Sequence, residues 1–315
     1  MRRSLNVIAL VICCAFLLAI YGCGSNAASS GASEPKDESQ AQIVKKPLND
    51  YSWSELTQIS KLIASAPDAD AQRQMAKVYG IVEEDGSLTS QTKQIVLDGS
   101  RALDVRVAGI AHDDKADGSG KAGLTFMTVG GIELLPMNDE ATVEGGWEAS
   151  KLRSRLAGEQ LDRLDKELVD AMVPVKKMTN NVGITDSFES ITPTDDKLWV
   201  FSVHEVCGDV TWDVDEFRER RGSEDVDGLL NQEGGQYEVF AQAGVHAESD
   251  PNGFLSLEKS TGKSPWWYRT PYPFEFSGYS NTGNTGYFYQ VMDSGFPQSL
   301  GSPEVPATVV VGFCI

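Results

Sequence analysis

The chain has 315 residues, is 41% hydrophobic and 23% charged, and carries a formal net charge of −19. Such a length and composition suit one large or two smaller soluble folded units with enough residues to bury a sizeable core. The acidic balance repels nucleic acid and anionic headgroups, which argues against both as partners and leaves cationic or neutral ones.

Arg2 and Arg3 precede an uncharged run from Val7 to Tyr21. That run is shorter than the roughly twenty residues a membrane-spanning helix needs and matches a signal-peptide core. It closes in Ala19-Ile20-Tyr21-Gly22-Cys23, which resembles a bacterial lipobox. The resemblance implies that residues 1–22 are a lipoprotein signal peptide cut before Cys23, and that Cys23 carries a diacylglyceryl anchor. The expected location is extracytoplasmic, with the membrane as partner through that covalent lipid. Losing Arg2 and Arg3 leaves 25 basic against 46 acidic side chains in the mature chain. Residues 23–48 comprise the lipidated cysteine and a stretch of small, polar and charged residues. They are too poor in large apolar side chains to offset ordering entropy, and read as a disordered tether.

Residues 49–89 read as a small helical segment. Ser52-Trp53-Ser54-Glu55 has the form of a capping box, and Trp53, Leu56, Ile59 and Ile63 follow at helical spacing. A second helix is predicted over Asp70–Tyr79, with Ala71, Met75, Val78 and Tyr79 on one face and Gly80 closing it. From Lys93 the period shortens to two. A strand to Leu97, an Asp98-Gly99 turn and a strand over Ala102–Ile110 form a predicted hairpin, with Leu124–Val129 as a third strand. Trp147–Leu156 and Leu161–Met172 return to helical spacing, Leu198–Val206 alternates as a strand, and Asp213–Arg221 and Glu233–Ala243 are short helix candidates. Thr308–Phe313 is a closing strand. This pattern predicts an α+β domain over residues 90–315, a mostly antiparallel sheet with packed helices.

Few motifs carry chemistry. Gly118-x-Gly120-x-x-Gly123 matches a dinucleotide-binding pattern, but strand residues from Leu124 follow it, so no helix N-terminus faces a pyrophosphate. The acidic turn from Asp113 to Gly118 has Lys115 and Leu124 where a calcium loop places ligands. Ser202 and His204 would sit about 7 Å apart on one strand face, too far for a nucleophile–base pair. His112 and His246 lack ligand-spaced companions. No metal, cofactor or catalytic set is therefore expected. Cys207 and Cys314 could pair as a disulfide or be two small buried hydrophobes, and the sequence leaves both open.

Trp266-Trp267-Tyr268-Arg269-Thr270-Pro271 concentrates large side chains in one stretch. In a strand, Trp266 and Tyr268 point to one face and Trp267 and Arg269 to the other. One face is expected to be core and the other a candidate binding surface, with Arg269 paired to a carboxylate such as Glu205.

An ordered set of residues then carries a resemblance. It comprises Gly145-Gly146-Trp147-Glu148-x-Ser150-x-Leu152-Arg153, the run from Thr194 to Val206, Glu233-Gly234-x-x-Tyr237-x-x-Phe240, and the Trp266–Pro271 stretch. Over roughly residues 90–315 this order resembles the bacterial surface domain called domain of unknown function 6273. Ser302-Pro303-Glu304-Val305-Pro306 stands where such domains often carry Gly-Val-Arg-Pro, so the arginine is missing. At the level of fold the order is also similar to C-type-lectin-like and formylglycine-generating-enzyme-like folds, which implies nothing about chemistry. The function expected is a lipid-anchored surface protein binding a glycan or another protein. The alternatives are a hydrolase using paired carboxylates and a purely structural spacer.

Overall fold

The computed structural model describes residues 43–210, 226–259, 262–274 and 286–315. Cys23 and the helix expected over 213–221 lie outside these residues. Residues 43–315 form one compact unit. Leu48, placed by sequence at the end of the tether, is buried in it.

Helix α1 (Trp53–Ala64) begins as the capping box requires. Ser52 accepts from the Glu55 amide, and the Glu55 carboxylate accepts from the Ser52 amide. Its stripe of Trp53, Leu56, Ile59 and Ile63 is buried. Trp53 stands edge-on to Phe126 and Phe313 at 5.6 and 5.9 Å, so the helical preface shares the core of the sheet. Helix α2 (Ala69–Val78) is capped by Asp68 and packs on α1 through Ala76. Val78, expected on its inner face, is 60% exposed.

Strands β1 (Lys93–Leu97) and β2 (Arg101–Ile110) pair as the predicted antiparallel hairpin. Asp98 and Gly99 both adopt positive φ, +53° and +68°, and Ser100 N–H donates to the Leu97 carbonyl. Leu97 pairs with Arg101, so three residues connect the strands, and the two left-handed ones fall on Asp98 and Gly99, residue types that tolerate that conformation. Next come β3 (Leu124–Thr128) and β4 (Glu133–Leu135), then the short helices α3 (Lys151–Arg155) and α4 (Lys166–Ala171). Trp147 to Ser150 form a turn, and Ser150 caps α3, so that helix starts later than its spacing suggested. The predicted 161–172 helix breaks before Lys166, leaving Leu161 and Leu164 only partly buried.

Strands β5 (Val175–Asn180) and β6 (Ile191–Asp196) form an antiparallel hairpin that the sequence reading missed. Lys176, Lys177, Asp195 and Asp196 obscure the alternation there, because Lys177 and Asp196 face inward. The expected strand over 198–206 is corrected: α5 (Val203–Cys207) occupies its second half. Ser202 and Glu205 form a second capping box, which starts a helix where alternation alone had suggested a strand.

Helices α6 (Val226–Leu230) and α7 (Glu238–Gln242) follow, then β7 (Glu258–Lys259) and β8 (Gly262–Lys263), which pair with each other. The chain closes with β9 (Trp266–Pro271), β10 (Phe288–Val291), β11 (Ser299–Gly301), β12 (Ala307–Val309) and β13 (Gly312–Cys314). The predicted closing strand is thus split, and its halves join different sheets. One sheet has the order β1-β2-β3-β13, all antiparallel. The other has the order β11-β10-β9-β12-β4, antiparallel except for β9 with β12. The class is α+β with mostly antiparallel sheets, as expected.

Candidate functional site

Five charged side chains from separate elements meet in the interior. Lys177 of β5 is 2% exposed, Asp113 4%, Glu205 of α5 1%, Glu233 1% and Arg269 of β9 0%. Buried charges persist only when paired and hydrogen-bonded. Lys177 Nζ lies 2.6 Å from Asp113 Oδ1 and 2.7 Å from Glu205 Oε1, donates to the Tyr237 hydroxyl at 2.8 Å, and sits 4.3 Å above the Trp199 ring. Tyr237 donates onward to Asp113 Oδ1 at 2.7 Å, and Thr125 donates to Asp113 Oδ2 at 2.7 Å. His112 stacks on Tyr237 at 4.0 Å, and burial lowers its pKa. Although burial alone would raise it, Asp113 is held far below the usual carboxylate range, chiefly by the charge of Lys177.

The Arg269 guanidinium makes a complete set of contacts. Its Nε donates to Thr179 Oγ1 at 2.7 Å, one terminal nitrogen to the Val200 carbonyl at 3.1 Å and to Glu205, and the other to the Met178 and Glu233 carbonyls, both at 3.2 Å. The pairing of Arg269 with Glu205 is as expected from sequence. Among the described residues Glu233 has no ion-pair partner of its own. Its Oε1 accepts from the Asn180 amide at 2.9 Å and its Oε2 from the Thr270 hydroxyl. Burial pushes the Glu233 carboxyl up to about 7, against the charge of Arg269.

Trp266, Trp267, Tyr268 and Arg269 are at most 1% exposed, so the expectation that one face of this stretch is a binding surface is corrected. The reason is position. β9 lies inside the five-stranded sheet, between β10 and β12, and all six of its residues are buried. Even the indole N–H groups are used internally: Trp266 donates to the Leu255 carbonyl at 2.9 Å, Trp267 to the Leu135 carbonyl at 2.8 Å. The possible disulfide is corrected too. Cys207 and Cys314 are free and buried. Cys207 lies 3.7 Å from the Tyr268 hydroxyl, whereas Cys314 donates to Asp113 Oδ2 at 3.3 Å. Burial raises both thiols, Cys207 to about 12, which makes them poor nucleophiles.

Ser202 and His204 are not a nucleophile–base pair. Ser202 donates to the Glu233 carbonyl at 2.8 Å, and His204 Nδ1 contacts the Gly234 carbonyl. The other motif residues are also internal. Trp147 Nε1 donates to Asp196 Oδ2 at 3.0 Å, and Arg153 Nε donates to Asp196 Oδ1 at 2.7 Å. Gly146 has φ +54°, and a Cβ there would lie 2.0 Å from the Asn180 carbonyl oxygen, so no other residue fits the turn before Trp147. The recurring motifs thus wire the interior together.

Those residues agree with a family comparison. The model described as Domain of unknown function (DUF6273) matches residues 123–295, more than half of the chain. The chain belongs to this family. Its Trp147, Ser150, Arg153, Asp196, Ser202, Glu205, Glu233 and Arg269 all fall within the DUF6273 match. No curated protein and no solved structure matches the chain.

The exterior of this DUF6273 protein offers a different site, which sequence reasoning missed. A groove of about 240 Å³ runs between α1 and the turn over 115–123, with Ser60, Lys61, Lys115, Ser119, Lys121 and Val173 among its walls. Two other described cavities hold only about 10 and 20 Å³. Lys121 is anchored, donating to the His112 carbonyl at 2.9 Å and lying 3.2 Å from Asp114. The only sequence signal was a run of lysines and glycines beside an acidic turn. The groove forms because α1 folds back over that turn: Ser60 accepts from the Gly123 amide at 3.0 Å and donates to the Ile315 carbonyl.

Proposed function

We propose that this protein is a lipid-anchored, extracytoplasmic binding module that presents a DUF6273 domain to a surface glycan or protein, with the groove beside α1 as the ligand seat. The single observation carrying this reading is that the groove is open and, at about 240 Å³, at least ten times as large as the other two cavities described, while the aromatic and charged motif residues are spent inside the fold. Asp113, Glu205 and Glu233 line none of the described cavities, which disfavours a paired-carboxylate hydrolase. A C-type-lectin-like arrangement belongs to the same proposal, supported by the chain's closing strands joining two antiparallel-rich sheets.

The anchor reading rests on the Arg2–Cys23 segment. Among the described residues no helix is long and apolar enough to cross a membrane. Replacing Cys23 by alanine is expected to abolish fatty-acid labelling and release the protein from the membrane fraction; labelling that persists would sink the anchor. For the seat, Ser119 is exposed on the groove wall, so S119W should fill the mouth without disturbing the core. Glycan-array and surface-extract binding by the intact chain should include at least one ligand that S119W loses. A well-folded chain that binds nothing on either panel would instead favour the spacer.

A further inference from the structure

The groove's side chains are one-sided in charge. They include Lys61, Lys115 and Lys121 and no aspartate or glutamate, in a chain holding 46 acidic against 27 basic side chains, and the carboxyl on the wall is the terminal one of Ile315, whose oxygen accepts from Ser60. Several basic groups elsewhere pair with carboxylates, while Lys93, Arg101 and Lys197 donate to backbone carbonyls instead. Lys46 meets Glu55, Arg73 meets Glu238, Arg155 meets Asp139 and Arg163 meets Asp98. Among the described residues Lys61 and Lys115 have no carboxylate within 4.0 Å, although acidic side chains outnumber basic ones.

The neutral donors of the lining are already committed. Thr57 donates to the Trp53 carbonyl at 2.9 Å, Ser65 to the Leu62 carbonyl at 3.0 Å, and Ser60 to the Ile315 carbonyl. Ser119 bonds to Asp117, its backbone amide at 2.9 Å. The idle hydrogen-bonding groups of the lining side chains are therefore ammonium donors, which call for an acceptor of opposite charge. Lysine suits such a role as a flexible point charge.

We propose that the groove seats a single oxyanion, the phosphate or carboxylate substituent of a surface sugar, between Lys61 and Lys115, with Lys121 fixed on the rim. This rests on the reading of the groove as the ligand seat and names the class of ligand. The chain's overall negative charge then works as a filter. A long polyanion is repelled by the remainder of the surface, whereas one anionic group entering the groove meets Lys61 and Lys115, neither of which has a carboxylate side chain within 4.0 Å among the described residues.

The test titrates the full chain, in detergent, with inorganic phosphate, with glucuronate and with glucose, following amide and lysine signals by NMR. Phosphate or glucuronate should perturb residues of α1 and the 115–123 turn, and glucose should not. K61Q/K115Q should weaken that binding at least tenfold, and K166Q, at an exposed lysine paired with Asp170, should leave it unchanged. S119W should block it as well. Tighter binding of phosphate than of glucuronate would point to a phosphorylated sugar, the reverse order to a uronate. Anion binding that survives both K61Q/K115Q and S119W would overturn the proposal. Glucose binding that S119W blocks and K61Q/K115Q spares would also overturn it, while leaving the groove as the ligand seat. If no probe binds and the surface panels also show nothing, both readings fall.

Discussion

Replacing Arg269 by methionine is expected to destabilise the folded protein by about 3–5 kcal/mol, the usual cost of stripping one partner from a buried ion pair. Arg269 is 0% exposed and engages Glu205, Thr179 and the carbonyls of Val200, Met178 and Glu233. Methionine fills much of the volume but leaves Glu205 with Lys177 as its cation and takes the guanidinium donor from the Val200 and Met178 carbonyls, while the Glu233 carbonyl keeps Ser202. Each unsatisfied group carries its own desolvation penalty, about 1–3 kcal/mol. Lysine would not rescue it, since three donors on a flexible stem cannot reproduce five in a planar fork. Denaturant unfolding of wild type, R269M and R269K measures this directly. A loss below about 1 kcal/mol for R269M would show that the guanidinium does not hold β5, α5 and β9 together. The cost is large against a total stability of about 5–15 kcal/mol, so R269M could fail to accumulate in a folded form at all. Glu205→Gln is the milder companion variant, because the amide keeps the shape and removes one charge.

Where local chemistry decides structure, the sequence was readable. The Ser52–Glu55 capping box, the stripe from Trp53 to Ile63 and the Asp98-Gly99 turn depend on neighbours within a few residues, and each forms where expected. Ser202-x-x-Glu205 carried the same local signal, but alternation over 198–206 outweighed it in the reading. Lys177, Asp113 and Glu233 were missed for a different reason. A lysine in a strand or an aspartate in a turn is usually solvated, and only long-range partners, 28 to 124 positions apart among these residues and Tyr237, reveal that these are not. The β9 aromatics were recognised as large and strand-borne, but their exposure depends on whether β9 is an edge or a central strand. That is fixed by β10 and β12, and hence by pairing partners that arrive later in the chain. The groove escaped notice altogether, because it exists only where α1 meets a turn more than fifty residues away.

Glu233→Gln is expected to stabilise the protein by about 3 kcal/mol at pH 8 and by little at pH 4, a difference that follows from where its proton sits. Around the buried network Lys177 and Arg269 supply two positive charges, while Asp113, Glu205 and Glu233 would supply three negative ones. One carboxyl must therefore hold a proton for the interior to be neutral. Asp113 and Glu205 face cations directly, and their pKa values are lowered. Glu233 meets the Asn180 amide and the Thr270 hydroxyl; burial raises it from 4.5 to about 7, the charge of Arg269 opposes the rise, and that of Glu205 adds to it. A folded-state value above the unfolded one means the native protein binds this proton more tightly. The associated stability is full below about pH 4.5 and is lost as pH rises through about 7. At about 1.4 kcal/mol per pH unit, the gap between 4.5 and about 7 corresponds to roughly 3 kcal/mol. Glutamine carries no proton to lose, keeps an acceptor for Asn180 and offers its amide to Thr270, whose oxygen already accepts from the Val203 amide at 3.0 Å. Unfolding free energies of wild type and E233Q measured at pH 4, 6 and 8 should converge in acid and diverge in base. Parallel pH profiles would mean that Glu233 is ionised in the native protein, and that the interior tolerates a net negative charge.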